Sequence, residues 1–320
     1  MALLLKEEHV RRLLTMEAAL DAVASAFAEV ARGDAVNLAR HRAALHGATV
    51  NSMGAMSAAF DLAAVKVYPI VRQDISVGSS FQVLAWRLST GALEAVIEAE
   101  RLAQVRTGAA TGVATRHMAR PDSRVMVLIG AGWQAQAQLE AISLVLPALE
   151  RVQVWSRSAQ RVQDFIGEMA PRVAARLEPV VDLQAALAEA DVVTTVTGAH
   201  RPLFDGRWLR AGTHVNAVGS NFASKQEIDP VTLSRAARVI ADDVEVARTE
   251  CGDLLLCPDF DWSRLQPLAE VVAGRSPGRV GAGEITVFES QGLGLEDLAM
   301  AHVLIGEARA RGEGIEIPLV

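Results

Sequence analysis

Residues 124–142, RVMVLIGAGWQAQAQLEAI, restrict the fold more than any other part of this sequence. An apolar run ends in Gly130-Ala131-Gly132, and the chain then resumes with a helical pattern. A buried strand that must turn sharply into a helix reads this way. Gly130 through Ala135 spell GxGxxA. In such a turn the first glycine permits the tight reversal, and the second lets a pyrophosphate approach the backbone. A small residue at the last position lets helix and strand pack closely. The start of the helix then offers N–H groups and the positive end of its dipole to an anion. The predicted ligand is a dinucleotide, held by Gly130, Gly132, Trp133, Gln134 and Ala135.

The surroundings support that reading. From residue 124 onward apolar strand-like runs recur: RVMVLIG, RVQVWS, EPVV, DVVTTV, THVNAVG and RVIADD, with helical patterns at 159–175 and 182–190. Alternation of this kind predicts a parallel sheet with helices on both faces, an α/β Rossmann-type doubly wound domain. Upstream, Thr15 and Gly33 bracket a predicted helix over 15–32. AAVKVYPIV and FQVLAWRLSTGALEAVIE read as strands, the second broken by a Thr-Gly turn, and 101–119 reads as a helix of small residues. Pro121 marks a junction. Near the end EITVFES reads as a strand, and GLEDLAMAHVLIGEARARG as an amphipathic helix returning to the first domain. The expected organisation is an α+β domain over 1–120 plus 290–320, and a dinucleotide-binding domain over 121–289.

Composition mainly excludes. The net charge is −7, and no Lys/Arg cluster is long enough to track a phosphate backbone, so no nucleic-acid partner is expected. No apolar stretch reaches the roughly 18 residues of a membrane span. MALLLKEEHV is too short and too soon charged for a signal peptide. The two cysteines, Cys251 and Cys257, fit neither a redox nor a zinc spacing. A cytoplasmic protein is expected. Of the seven histidines, His9, His46, His117, His200, His214 and His302 stand singly with no HxxxH pair, and no metal site is expected.

Two further groups of residues bear on chemistry. An acid at the end of the second dinucleotide-domain strand would bind the adenosine ribose and favour NAD(H). This chain has Ser156-Arg157-Ser158 there, with Arg161 just beyond. Arg157 suits a 2′-phosphate and the serines can donate to it. NADP(H) is therefore preferred, and NAD(H) stays open because Arg157 can also stack on adenine. The second group is cationic: Arg40, Arg42, Lys66 and Arg106, the last two set among apolar or small residues. A buried cation requires an anionic partner, because an unpaired buried charge is costly.

The ordered set ARHR, VKVY, the STG turn, QVRTGAATGVATRHMA, VLIGAGWQAQ, HVNAVGSN, QEID, EITVFES and GLEDLA resembles the ornithine cyclodeaminase/mu-crystallin family along nearly the whole chain. The resemblance implies an N-terminal dimerisation and substrate domain, a homodimer, a Rossmann-type domain and a nicotinamide cofactor. It implies a small amino- or imino-acid substrate whose carboxylate is held by Arg40 or Arg42, Lys66 and Arg106. Lys66 could add charge or pass a proton to an imine. It also implies that Thr107, Thr195, Thr197, Gly198, Val218 and Gly219 lie near the cofactor. Asp297 of GLEDLA is left between orienting a helix and orienting the cofactor.

One departure bears on the reaction. After the AVG strand, cyclodeaminases and alanine dehydrogenases of the family carry an aspartate that handles protons, whereas this chain has Asn221. A carboxamide is no carboxylate base at neutral pH. The expected activity is NAD(P)H-dependent reduction of a cyclic ketimine or α-imino acid, with Lys66 and Asn221 as catalytic residues. The alternatives are an ornithine cyclodeaminase-type lyase, an alanine dehydrogenase-like enzyme and a non-catalytic ligand binder.

Overall fold

The computed structural model describes residues 1–71 and 80–318. It divides into two compact units, Met1–Arg106 with Leu293–Val320, and Thr107–Gly292. The division falls inside the helix Glu100–Met118, upstream of the junction expected at Pro121. The return to the first unit starts at Leu293.

The first unit holds a seven-stranded sheet. Its order from one edge is Ile315–Ile317, Ala2–Leu5, Leu93–Glu98, Gln82–Arg87, Leu62–Val71, Ala48–Ser57 and Ala35–Leu45. All neighbours are antiparallel except Ala2–Leu5 and Leu93–Glu98. The last two strands of that order join through His46 and Gly47, both at positive φ (46° and 84°). A two-residue hairpin loop of that type matches the right-handed twist of the strands it joins. Two helices, Met16–Arg32 and Gly294–Arg311, pack together, and the second lies over the antiparallel strands. Thr15 caps the first by accepting from the Ala18 N–H, and Gly33 closes it in the left-handed region, as the sequence predicts. The helix at 294–311 departs from its expected amphipathic character. Every residue from Gly294 to Ala301 is buried, two acids included, so its first half faces protein all round.

The second unit is an eight-stranded, wholly parallel sheet. Its order is Leu265–Pro267, Ala236–Ala241, Ile285–Glu289, His214–Ala217, Val192–Thr195, Val125–Ile129, Arg151–Trp155 and Arg176–Pro179. Strand order runs outward from Val125–Ile129 and then restarts on its other side at Val192–Thr195. Ligands of open α/β sheets bind at such a reversal. Val127 and Ile129 join one buried core, while Met126 and Leu128 join the other. Both faces of the strand are therefore covered, which is why it reads as an unbroken apolar run. The helix expected over 159–175 ends at Met169 and tightens into a 3-10 turn, Ala170–Arg172. Pro171 explains the stop, since it has no N–H to donate and its ring clashes with the preceding turn.

Candidate functional site

In the first unit the site is built on one face of the antiparallel strands. Lys66 lies directly opposite Met53 on one neighbouring strand and Val83 on the other. Tyr68 lies opposite Asn51, and Asn51 opposite Arg42. Cross-strand partners share a face of the pleat. The pairing slips between Leu38 and His41, where the edge strand carries one extra residue. That bulge returns Arg40 to the face of Met53, so Arg40 and Arg42 both lie on the Lys66 face. The choice the sequence left between them is not exclusive.

The anions come from the far end of the chain. Lys66 Nζ donates to Asp297 Oδ1 at 2.8 Å, and both side chains are only 1% exposed. Arg106 Nη1 donates to Glu296 Oε2 at 2.7 Å, and its Nε lies 3.5 Å from Asp297 Oδ1. Glu296 and Asp297 occupy the first turn of the helix Gly294–Arg311, where the helix dipole favours negative charge. Leu293, at the cap position, offers no side-chain cap, and Asn37 Oδ1 accepts from the Leu295 N–H instead. Gly294 seats this helix end, because a Cβ there would collide with the backbone of Gly54.

Electrostatics follow from burial. Desolvation brings the Lys66 pKa down to about 8, and the neighbouring Arg106 pushes the same way, as Arg40 does more weakly, against the opposing pull of Asp297. Burial works against the Arg106 charge as well, but Asp297 and Glu296 outweigh it and hold its pKa above the ordinary value. Burial raises the pKa of Glu296 although Arg106 opposes the shift. The Lys66 ammonium also lies 5.6 Å from the Tyr68 ring and 5.9 Å from the Phe81 ring. Arg40, Arg42 and Lys66 on one face of the sheet, with Arg106 of the helix Glu100–Met118 paired to the same Asp297 as Lys66, can bind a carboxylate, and Lys66 holds a proton that can move near neutral pH. Sequence reasoning called for anionic partners without finding them. Two adjacent acids opening an apolar helix were the available signal, and Glu296 was not singled out.

In the second unit the glycine turn has the expected form. Gly130 sits at φ 126°, and a Cβ there would lie 2.5 Å from the Val196 carbonyl oxygen. Gly132 caps the helix Trp133–Val145 without a side-chain cap, and a Cβ on it would meet nothing within 4 Å. Backbone open in this way at a helix start fits a dinucleotide pyrophosphate. Ala135 is buried against the sheet and Trp133 is 37% exposed. Thr107 is buried, and next to it Gly108 packs so tightly on Ala137 that a Cβ would collide with the Ala137 carbonyl. That contact explains the run of small residues in the helix.

Arg157 is exposed at the end of the second strand, and Arg161 is exposed one turn into the next helix. Ser158 caps that helix by accepting from the Arg161 N–H, and Ser156 accepts from the Ser158 N–H. Each hydroxyl still has its own proton to donate. A cleft of about 390 Å³ brings Gly132, Trp133 and Gln136 together with Arg161 and Asp164.

Three of the remaining sequence-derived positions, Thr195, Thr197 and Gly219, are tied to Glu227, a residue of the QEID motif to which the sequence assigned no role. Its carboxylate accepts from Thr195 Oγ1 (2.8 Å), Thr197 N, Thr197 Oγ1 and Gly219 N (each 2.6 Å). Burial raises the pKa of Glu227, and these donors oppose the shift. Thr195 is wholly buried and Val218 nearly so, while Gly219 lies against the Thr197 carbonyl too closely for any Cβ. The geometry makes them a scaffold for the strand ends. Gly198 has open space around its Cβ direction. Asn221 is half-buried, and its Oδ1 accepts from Lys225 Nζ at 3.1 Å. Among the described residues no group of His, Cys, Asp or Glu is arranged to hold a metal, and no helix is long and apolar enough to cross a membrane.

Comparison with known proteins finds similarity along nearly the whole chain. The sequence model of the ornithine cyclodeaminase/mu-crystallin family matches residues 1–312. An iminosuccinate reductase of Paracoccus denitrificans is 30% identical over 99% of this chain and 100% of its own. The structure of Thermococcus litoralis Δ1-pyrroline-2-carboxylate reductase in complex with NADH and L-proline superposes with a TM-score of 0.93. That protein is 30% identical, covering 98% of this chain and 100% of that one. An archaeal alanine dehydrogenase dimer with bound NAD gives the same TM-score of 0.93 at 28% identity, covering 100% of this chain and 99% of that one.

Proposed function

The chain belongs to the ornithine cyclodeaminase/mu-crystallin family, and from that premise we propose that it is an NAD(P)H-dependent reductase of a small α-imino acid or cyclic ketimine. The observation that carries the reading is the buried charge cluster, in which Lys66 and Arg106 share a carboxylate on the face that also bears Arg40 and Arg42. A reductase of this kind must bind a carboxylate, protonate an imine nitrogen and keep water away. Arginine suits the first task, because its planar fork meets both carboxylate oxygens. We assign that task to Arg106 with Arg40 and Arg42. Lys66 donates the proton to the imine nitrogen, since its lowered pKa, about 8, matches proton transfer near neutral pH.

The nicotinamide cofactor, when bound, supplies the hydride. Gly130, Gly132 and the start of the helix Trp133–Val145 hold its pyrophosphate, and Arg157 with Ser156, Ser158 and Arg161 holds its adenosine end. We propose a preference for NADP(H), supported by the absence of an acid at the end of the strand Arg151–Trp155 and by the exposed Arg157 there. Asn221 orients a water or a substrate nitrogen, and as a carboxamide it cannot serve as the base that activates water for deamination.

We further propose a homodimer joined through the outer face of the first unit's sheet. Val36, Leu38 and Met56 are 50%, 47% and 39% exposed there and lie in register with partly buried Val65, Leu84 and Trp86. An apolar sheet face of this extent is a typical association surface. The assignment to the cytoplasm rests on Cys251 and Cys257, both buried free thiols. The test of function is NADPH and NADH consumption with 1-pyrroline-2-carboxylate, 1-piperideine-2-carboxylate and iminosuccinate. Turnover of at least one is expected, and none with any of them would overturn the reading.

A further inference from the structure

Asp297 sits buried between two cations. It is 1% exposed, and one of its oxygens faces both Lys66 Nζ at 2.8 Å and Arg106 Nε at 3.5 Å. Its other oxygen, Oδ2, is buried and has no hydrogen-bond partner. The helix that carries it is pinned to the sheet by the Gly294–Gly54 backbone contact and by Asn37. The neighbouring cations work against the proton on Lys66. Arg106 comes from the helix Glu100–Met118 and Arg40 from the edge strand, while the cross-strand neighbours Met53 and Val83 are apolar. Glu296 is engaged with Arg106. Among the described residues, Asp297 is the one carboxylate hydrogen-bonded to Lys66.

We propose that Asp297 is the positioning residue that keeps Lys66 protonated and aimed, and so sets the pH range in which Lys66 can give its proton to the substrate. The proposal rests on the imine-reductase reading for its consequence, but not for its physical basis. In the step concerned one proton passes from Lys66 Nζ to the imine nitrogen, and a hydride from the reduced nicotinamide reaches the imine carbon. The substrate becomes an amine, the cofactor is oxidised, and Lys66 is left neutral. The Asp297 charge then remains paired with Arg106, and Lys66 regains its proton from solvent. In a low-dielectric site an opposite charge within hydrogen-bond reach moves a pKa by about one to three pH units.

The sequence makes a direct test available. The chain contains only three lysines, Lys6, Lys66 and Lys225. Lysine labelled with ¹³C at the ε-carbon therefore gives few NMR signals, and Lys66→Met assigns the buried one. In the ligand-free protein Lys66 is expected to titrate near pH 8. In Asp297→Asn its midpoint should fall by about one to three pH units. Asp297→Ser carries the same expectation and serves if the asparagine variant does not fold. The rate side is read with whichever imino acid the unaltered protein reduces. Activity should decline as pH rises through the Lys66 midpoint, and the variant's decline should move to lower pH by the same interval. A shift of about two units means roughly a 50-fold loss at pH 8 and a much smaller one at pH 5. A Lys66 midpoint unchanged in both variants would overturn the proposal, as would a rate loss equal at every pH. Absence of imine reduction by the unaltered protein would count against the functional reading, and the NMR titration would still decide the role of Asp297.

Discussion

The two candidate sites of this molecule are made of opposite materials. In the first unit the site consists of side-chain charge taken out of water: Lys66, Arg106, Glu296 and Asp297 are each no more than 8% exposed and pair with one another, Lys66 with Asp297 and Arg106 with Glu296. In the second unit the cradle consists of backbone, with Gly132 presenting a helix start and no side chain. The groups to which we assign substrate binding in the first site also hold the helix Gly294–Arg311 against the sheet, so binding and stability cannot be altered separately. In the cradle they can.

The largest expected effect is at Arg106. Arg106→Ala removes a charge-assisted contact worth about 1.5–3 kcal/mol to the substrate, or roughly 10- to 150-fold in kcat/KM. It also leaves Glu296 without its partner and Asp297 with Lys66 alone. Breaking a buried pair in this way costs about 3–5 kcal/mol of stability. Kinetics and thermal melting should both suffer, while dinucleotide affinity measured by fluorescence titration stays nearly unchanged. Normal substrate kinetics in a destabilised variant would show that Arg106 is structural only.

Arg157→Asp should come next. An acid at the ribose position repels a 2′-phosphate and accepts from a 2′-hydroxyl, so a preference for NADPH should turn into one for NADH, with the ratio of affinities moving by about tenfold or more. Melting temperature should not change, because Arg157 is exposed. Equal affinity of the unaltered protein for both cofactors would remove the basis for the NADP(H) assignment. The smallest effect is expected from Gly132→Ala. A Cβ there meets nothing within 4 Å, so the fold should tolerate it. Dinucleotide affinity should nevertheless fall, by roughly tenfold. A drop in melting temperature as large as that of Arg106→Ala would erase the distinction between the two sites.

The same contrast decides what could be read from the sequence. The cradle is contiguous: strand, turn and helix follow one another within residues 124–142, and each imposes a local pattern. The first site is assembled from residues 40, 42, 66, 106, 296 and 297, which meet only through the sheet and the returning helix. Lys66 and Arg106 were legible as cations in apolar settings, and their need for anions followed. The identity of those anions depends on where the last helix lands, which no local pattern encodes. Ala35–Leu45 was not anticipated as a strand because its extra residue between Leu38 and His41 breaks the two-residue alternation by which strands are recognised. That irregularity is also what lets Arg40 and Arg42 share the Lys66 face. Glu227, although part of the QEID motif, was given no role for a different reason, since a glutamate after a loop gives no sign that four donors converge on it.

We propose that the chain reduces imines and does not deaminate ornithine. The most direct test is a paired assay on one preparation, with NADPH consumption measured against 1-pyrroline-2-carboxylate and 1-piperideine-2-carboxylate, and ammonia release measured from L-ornithine with NAD⁺. On the role proposed for Asn221, deamination lacks general-base assistance worth roughly 10²- to 10⁴-fold. The expected result is therefore imine reduction at enzymic rates with ornithine turnover at background. Ornithine deamination at enzymic rates without imine reduction would contradict it.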